Sequence, residues 1–448
     1  MIVLKFGGTS VGDASAIQRL VDVVELATAD APLVVVSAMT RVTNSLLDLD
    51  ALLTSDEYAE AERLRRELQH RHEQTAAALK VAGWVVGDLL ASFEELAELI
   101  RVFPPVADLA RRDRIAGFGE LWSSLLVTGA SEAKGLAASW FDARTVMHTD
   151  SHFGAAIPDE PAIRTAVARD LAPRIGAGQV VVTQGFIGRN AAGAPTTLGR
   201  GGSDFSAALF GAALGASRVE IWTDVDGLMS ADPRVVPDAR LLSHATYDEA
   251  AELAAFGAKV LHPATQLPLV EAGIPIVIRN TFAPEKPGTW IGAESLDDGS
   301  LPVRSISFKP GVTIVQIRAA RMLGAYGFLR RIFEVFERHE IVVDVLASSE
   351  VSVSLTIDDG TQLAAVVHDL GAIGEVTVKP GRGVVAVVGR AIRETPGIAA
   401  RVYSAIADVN VEMISQGASA SNLTFIVAEA NGPQVVRALH QAFFPEFE

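Results

Sequence analysis

Short runs of β-branched residues, apolar nearly throughout, constrain this chain more than any other feature. Ile2–Phe6, Leu33–Val36, Gln179–Thr183, Arg218–Thr223 and Pro275–Ile278 each read as a strand. Strands that are apolar on both faces belong in a parallel sheet covered by helices, because a sheet with one wet face alternates. Helical stretches separate the runs, beginning with Ala14–Thr28. The first part of the chain therefore reads as α/β with a largely parallel sheet sandwiched by helices.

The chain's 448 residues exceed the roughly 250–300 at which one core stops growing, so at least two domains are expected. Ser55–Lys80, rich in Glu, Arg, Ala and Gln, reads as a solvated helix without chemistry, part of a helical layer reaching about Leu136. Its His70 and His72 are two apart, hence on different faces, and do not make a metal pair. Pro284, Pro287, Gly288, Gly292, Gly299 and Pro302 cluster near a boundary, dividing the chain into regions 1–292 and 303–448.

The second region repeats itself. Gly327-Phe-Leu-Arg-Arg-Ile-Phe matches Gly397-Ile-Ala-Ala-Arg-Val-Tyr at an offset of 70, which also pairs Phe336 with Ile406, Val343 with Met413, Ser349 with Ser419 and Leu355 with Phe425. Each copy reads as a helix, two strands and a second helix, giving tandem α+β modules at about 312–378 and 383–448. Two readings stand: a structural dimerisation unit, or a ligand-sensing pair.

Charge narrows the partners. The formal net charge is −16, from 54 acidic and 38 basic residues, which disfavours nucleic acid and anionic membranes. An anionic substrate would then need local positive charge. With no cysteines, disulfides, thiolate chemistry and Cys-type zinc sites are excluded. The start Met-Ile-Val-Leu-Lys-Phe-Gly-Gly does not resemble a signal peptide, and no run approaches the roughly 18 apolar residues of a membrane span. A cytoplasmic location is expected.

Five segments carry candidate chemistry. Lys5-Phe-Gly-Gly-Thr9-Ser10 follows the first strand and precedes the first helix. Its glycines let the backbone approach a phosphate and Lys5 adds a full charge, although a Gly-Gly turn after a strand is also an ordinary connection. Thr197-Leu-Gly199-Arg200-Gly201-Gly202-Ser203-Asp204 runs into another helix, Phe205–Leu214, with Ser-Asp as the expected N-cap. Arg200 suits a carboxylate, and Asp204 either fixes Lys5 or helps hold a metal-bound phosphate. A capped surface loop is the plainer alternative, weakened by the presence of two such loops. Thr223-Asp224-Val225-Asp226-Gly227, followed by Asp232-Pro-Arg234, falls beyond a strand end, where α/β sheets bind ligands. Its acids and Arg234 suit a nucleotide with Mg²⁺, or simply a turn. Phe256-Gly-Ala-Lys259-Val260-Leu-His262-Pro263 holds a lysine in an apolar setting that a phosphate would satisfy. Gly117-Phe-Gly119-Glu120 leads into the helix Leu121–Thr128, where Glu120 either complements the helix dipole or holds a substrate ammonium.

Together these segments resemble aspartokinases of the amino-acid kinase family, over essentially the whole chain, with the C-terminal repeat similar to their paired ACT modules. The resemblance implies transfer of the γ-phosphoryl group of ATP, with Mg²⁺, to the side-chain carboxylate of L-aspartate. Lys5, Gly7, Gly8 and Thr9 would cradle the transferring phosphoryl group. Ser37, Thr43, Glu120, Arg200 and Ser203 would bind aspartate, with Glu120 on its ammonium, and Asp204 would organise the lysines. Thr223, Asp224, Arg234, Lys259 and Val260 would line the ATP site, with Met229 packing where relatives often carry a tyrosine.

The regulatory expectation centres on Met322, Ala325, Gly327, Phe328, Leu329, Val343, Asp344, Ser349 and Glu350, with L-lysine as effector and Asp344 meeting its ammonium. Gly324 and Ala325 depart from the polar residues of lysine-inhibited relatives. The chain reads as a monofunctional form, because it stops at Glu448 without a dehydrogenase region, and as a homodimer or dimer of dimers. Rival readings are a glutamate or carbamate kinase of the same fold, against which the paired modules argue, and a non-catalytic amino-acid sensor, which would lack Lys5, Arg200 or Asp204.

Overall fold

The computed structural model describes residues 1–176, 179–257, 263–294, 302–319, 326–358 and 363–445. In chain order its elements are β1 (Ile2–Phe6), α1 (Ala14–Leu26), β2 (Pro32–Val36), α2 (Val42–Thr54), α3 (Tyr58–Leu79), α4 (Gly83–Val102), α5 (Leu109–Ala116), α6 (Phe118–Ala133), β3 (Ala138–Phe141), α7 (Glu160–Ala166), α8 (Ala172–Gly176), β4 (Val180–Gln184), β5 (Ile187–Arg189), β6 (Pro195–Thr197), α9 (Gly202–Leu214), β7 (Val219–Thr223), β8 (His244–Thr246), α10 (Tyr247–Ala255), α11 (Pro263–Ala272), β9 (Ile276–Asn280), β10 (Thr289–Gly292), β11 (Val303–Arg318), α12 (Phe328–Arg338), β12 (Leu346–Ser348), β13 (Ser352–Ile357), α13 (Leu363–Gly371), β14 (Glu375–Gly389), α14 (Ile398–Ala405), β15 (Met413–Gln416), β16 (Asn422–Ala428) and α15 (Gly432–Phe443). Two compact units divide them: Met1–Leu228 with Ser243–Tyr247 and Val260–Ser295, and Met229–Leu242 with Asp248–Lys259 and Leu296–Glu448.

The first unit is built on an eight-stranded sheet in the order β3-β4-β2-β1-β7-β9-β10-β8. From β3 to β9 all neighbours are parallel, whereas β10 runs antiparallel to β9 and the edge strand β8 lies parallel to β10. The expected strands lie within a residue or two of their observed bounds. β1, β2 and β4 are buried along their whole length, the condition that makes them apolar throughout. Because the strands are parallel, the loops after β1, β2, β4 and β7 open on one edge. The helical layer behind them packs Phe93 on Trp122 at 4.0 Å between ring centroids. The helix read as solvated is α3. His72 points inward from it onto the Leu68 carbonyl at 2.6 Å, while His70 meets Gln74 at the surface.

The second unit carries a six-stranded antiparallel sheet, β12-β13-β11-β14-β16-β15. The repeat is real in three dimensions: α12 and α14 follow Gly327 and Gly397, whose φ angles of 73° and 84° are left-handed, so the matched glycines have a conformational reason. Register shifts near Lys309 and Val312 let the long strand β11 serve both modules. Its second half pairs with β13, whereas Val303–Lys309 pairs with Val384–Gly389 of β14. The strand that completes the second module thus precedes the first module in the chain. Val303 and Ile306 share a core with Val385, Val402, Phe425 and Leu439. The segment 229–242 joins the same core through Ala231 and Val236, and the Ser230 hydroxyl lies 2.9 Å from His440 Nε2.

Candidate active site

A cavity of about 730 Å³ opens at the strand-end edge of the first unit. Lys5 reaches it from the central strand, where it stands opposite Val35 of β2 and Ile221 of β7. Its ammonium lies 2.6 Å from Asp204 Oδ1, with the two side chains only 10% and 19% exposed. A lysine inside an apolar strand requires such a partner. Asp204 therefore fixes Lys5, the first of the two uses open to it. The expected Ser-Asp cap is corrected: Gly201, at φ 73°, caps α9 without a side-chain bond, and Ser203 and Asp204 fall in the first turn. A left-handed glycine turns the chain into the helix earlier than a side-chain cap would.

The phosphate-type loop is held by its neighbours. Thr40 donates its hydroxyl to the Gly8 carbonyl at 2.8 Å, and Arg71 of α3 donates to the Thr40 and Gly12 carbonyls, each at 2.9 Å. A Cβ at Gly8 would lie 3.1 Å from the Ala38 carbonyl oxygen, so the loops after β1 and β2 approach too closely for a side chain.

Glu120 sits in the first turn of α6, which begins at Phe118 rather than Leu121. One carboxylate oxygen accepts from the Ala38 amide at 3.1 Å, while Oε2 is buried without a partner. Burial pushes its carboxyl up to about 8, against the Ala38 amide and the positive charge of Lys5. Such an acid suits a ligand cation that would ionise and satisfy it.

Lys5, Gly8, Ser37, Thr43, Glu120, Arg200, Ser203 and Asp204 all line the one cavity. Gly7 adjoins it, a Cβ there falling 3.7 Å from Lys5 Nζ, and Thr9 lies in the single turn Gly8–Val11. Thr223 ends β7 and Asp224 follows it, beside that loop, where the Gly7 amide donates to the Trp222 carbonyl at 3.2 Å. Asp226 is engaged elsewhere, with Lys286 and Asn280 each at 2.6 Å. Met229 and Arg234 belong to the second unit, where the Met229 carbonyl accepts from Ser305 and Arg234 pairs with Asp232 at 2.7 Å. Lys259 and Val260 lie outside the described residues.

Of the expected effector residues, Gly327, Phe328 and Leu329 form the start of α12, with Phe328 in the core of the first module. Val343 packs against that core, and Ser349 and Glu350 occupy the turn between β12 and β13. Asp344 meets Lys309 at 2.9 Å, and Lys309 also contacts Asp358. Burial pushes the Asp344 carboxyl up and the nearby Asp358 adds to this, against the pull of Lys309. Met322 and Ala325 lie outside the described residues.

Several cavity residues escaped the sequence reading. Asp113 of α5 accepts from the Thr197 amide and hydroxyl and from the Gly154 amide, pinning the loop that leads to Arg200. In the sequence it is one charge in Arg111-Arg112-Asp113-Arg114, which reads as a solvated run. Arg41, Arg112 and Phe186 also line the cavity, Arg41 and Phe186 with left-handed φ angles of 69° and 67°.

A parallel sheet whose strand ends gather two glycine loops, a buried lysine and several arginines around one cavity defines a small-acid phosphotransferase. Residues 1–280 match the amino acid kinase family model and residues 385–443 the ACT domain model. The chain is 38% identical to lysine-sensitive aspartokinase 3 of Escherichia coli (strain K12) over 99% of both chains. It is 36% identical to aspartokinase 1, chloroplastic, of Arabidopsis thaliana over 99% of this chain and 80% of that one. Among solved structures, E. coli aspartokinase III in complex with aspartate and ADP (R-state) matches with a TM-score of 0.85 and 36% identity, covering 99% of this chain and 100% of that one. The same enzyme in complex with lysine and aspartate (T-state) matches with the same score, covering 99% of each chain. The chain belongs to the amino acid kinase family and, within it, to the aspartokinases.

Proposed function

We propose that the cavity transfers the γ-phosphoryl group of ATP to the side-chain carboxylate of L-aspartate, forming 4-phospho-L-aspartate. The observation that carries this reading is the buried Glu120 Oε2, without a partner, in the same cavity as the Lys5–Asp204 pair and Arg200. An amino acid with two carboxylates meets all three features: its ammonium on Glu120, one carboxylate on Arg200, and the other directed to the loop of Lys5 and Gly8. Ser37, Thr43 and Ser203 contribute hydroxyls to the same substrate. The acceptor carboxylate has a reference pKa of about 4 and is ionised at neutral pH, so no general base is required. The protein's task is to bring two anions together and hold them in line.

Gly7, Gly8 and Thr9 offer amides to the transferred group, and Thr223 and Asp224 face the nucleotide beside them. Asp224, on the loop after β7, is a single carboxylate, a fit to Mg²⁺ carried by nucleotide phosphates rather than by a protein cage. When bound, Mg²⁺ neutralises charge on the phosphate oxygens. The ATP site is proposed to extend to Met229, Arg234, Lys259 and Val260. The ACT modules are proposed to bind L-lysine, with Asp344 on its ammonium. The assembly is proposed to be a homodimer or dimer of dimers. No helix among the described residues is long and apolar enough to cross a membrane, and a cytoplasmic enzyme is proposed.

The test is ATP- and Mg²⁺-dependent acyl-phosphate formation, trapped as the hydroxamate, with L-aspartate or L-glutamate as acceptor and with or without L-lysine. Product from aspartate alone, diminished by lysine, is expected. Folded protein that binds ATP yet forms no aspartyl hydroxamate would overturn the reading.

A further inference from the structure

Arg41 precedes α2 with φ 69° and ψ −4°, in the left-handed region. A side chain there crowds its own backbone, so such a position ordinarily falls to glycine. The backbone on both sides is tied down. Thr40 bonds Gly8 and is itself held by Arg71, and the Arg41 carbonyl accepts from the Ser45 amide at 3.0 Å. Strain that survives in a wall so fully determined marks a functional position. The Arg41 side chain is exposed, lines the cavity, and has no carboxylate partner among the described residues. Of the described non-glycine residues with positive φ, only Arg41 and Phe186 line this cavity, and Arg41 alone of the two carries charge.

The charge balance of the site calls for such a group. Lys5 is largely neutralised by Asp204 at 2.6 Å, and the other cavity cations stand elsewhere, Arg200 on the loop before α9 and Arg112 on α5. Arg41 lies between Thr40, which touches the phosphate loop, and Thr43, on the acceptor side of the same cavity. We propose that Arg41 is a further substrate-contacting residue, engaging the anionic oxygens that meet there, either the terminal phosphate of the nucleotide or a carboxylate of the acceptor. The proposal rests on the kinase reading above.

The test is Arg41→Gly in the full chain, with Arg41→Lys beside it. Hydroxamate kinetics give KM for each substrate, calorimetric titration gives the affinities for ADP and for aspartate separately, and thermal melting reports the fold. Glycine suits the left-handed backbone, so the midpoint is expected to hold or rise. Affinity for one substrate is expected to fall about tenfold or more, with partial recovery in Arg41→Lys. A loss confined to ATP and ADP assigns the phosphate, and a loss confined to aspartate assigns the carboxylate. Unchanged constants for both substrates overturn the proposal, whether or not the midpoint moves. Absence of turnover in the parent protein would count against the kinase reading alone, and the ADP and aspartate titrations would still decide Arg41.

Discussion

Asp113 and Thr197 meet through two hydrogen bonds, the Thr197 amide and hydroxyl each donating to the carboxylate at 2.8 Å. With the Gly154 amide at 2.9 Å, they suspend the loop that leads into α9 from α5. Asp113→Ala is expected to cost about 3 kcal/mol of stability, since several buried donors lose a charged acceptor. Turnover should fall with it. Denaturant unfolding and hydroxamate kinetics on the same variant check both, and Asp113→Asn should retain part of each.

Glu120 makes the site sensitive to pH. Its carboxyl stands at about 8 in the fold against 4.5 as its ordinary value, mainly through burial. Between those values the folded state holds a proton that the unfolded state has released, so this group's contribution to stability declines as pH rises through that window. Glu120→Gln should flatten that decline in melts recorded from pH 5 to 8. Aspartate's ammonium favours the ionised form, so binding at neutral pH should release close to one proton. Calorimetry in two buffers of different ionisation heat measures this, and the Gln variant should bind aspartate weakly with no release.

Lys5→Ala should lower kcat by about 10²–10³, the usual loss when a charge aimed at the transferring group is removed. It also leaves Asp204 half-buried and unpaired. The double variant with Asp204→Ala should therefore regain stability without regaining activity, read by melting and hydroxamate kinetics in a double-mutant cycle. Recovery of activity in the double variant would contradict the assignment.

Asp344→Ala should abolish inhibition by L-lysine while leaving basal turnover intact, removing a coupling of about 1–3 kcal/mol. Steady-state kinetics across a lysine series, together with sedimentation to confirm the assembly state, separate a sensing role from an assembly role. Lysine inhibition that persists in Asp344→Ala would sink the ammonium contact.

Much of the fold was legible because its signals are local. β1, β2 and β4 are buried on both faces, and that burial writes itself into consecutive apolar residues. The glycine loops announced themselves likewise, and eight of the expected residues do meet in one cavity. Illegible residues were those whose meaning depends on a distant partner. Asp113 finds Thr197 across 84 positions, and Arg71 finds Gly12 across 59. Along the chain both are ordinary charges on helices that read as solvated.

From the sequence alone came the largely parallel sheet, the family, the 70-residue repeat and the residue types at the strand ends, all properties carried by short windows. Tertiary structure decided which strand completes the second module, for Val303–Lys309 shares no repeat with it and pairs across the sheet instead. It decided that Asp204 neutralises Lys5, that Glu120 is buried with an oxygen to spare, and that Arg41 occupies a glycine's conformation. Periodicity reports which face of an element is dry. Burial of a single charge, and the partner that answers it, exist only once strands and loops far apart in the chain have closed around the same space.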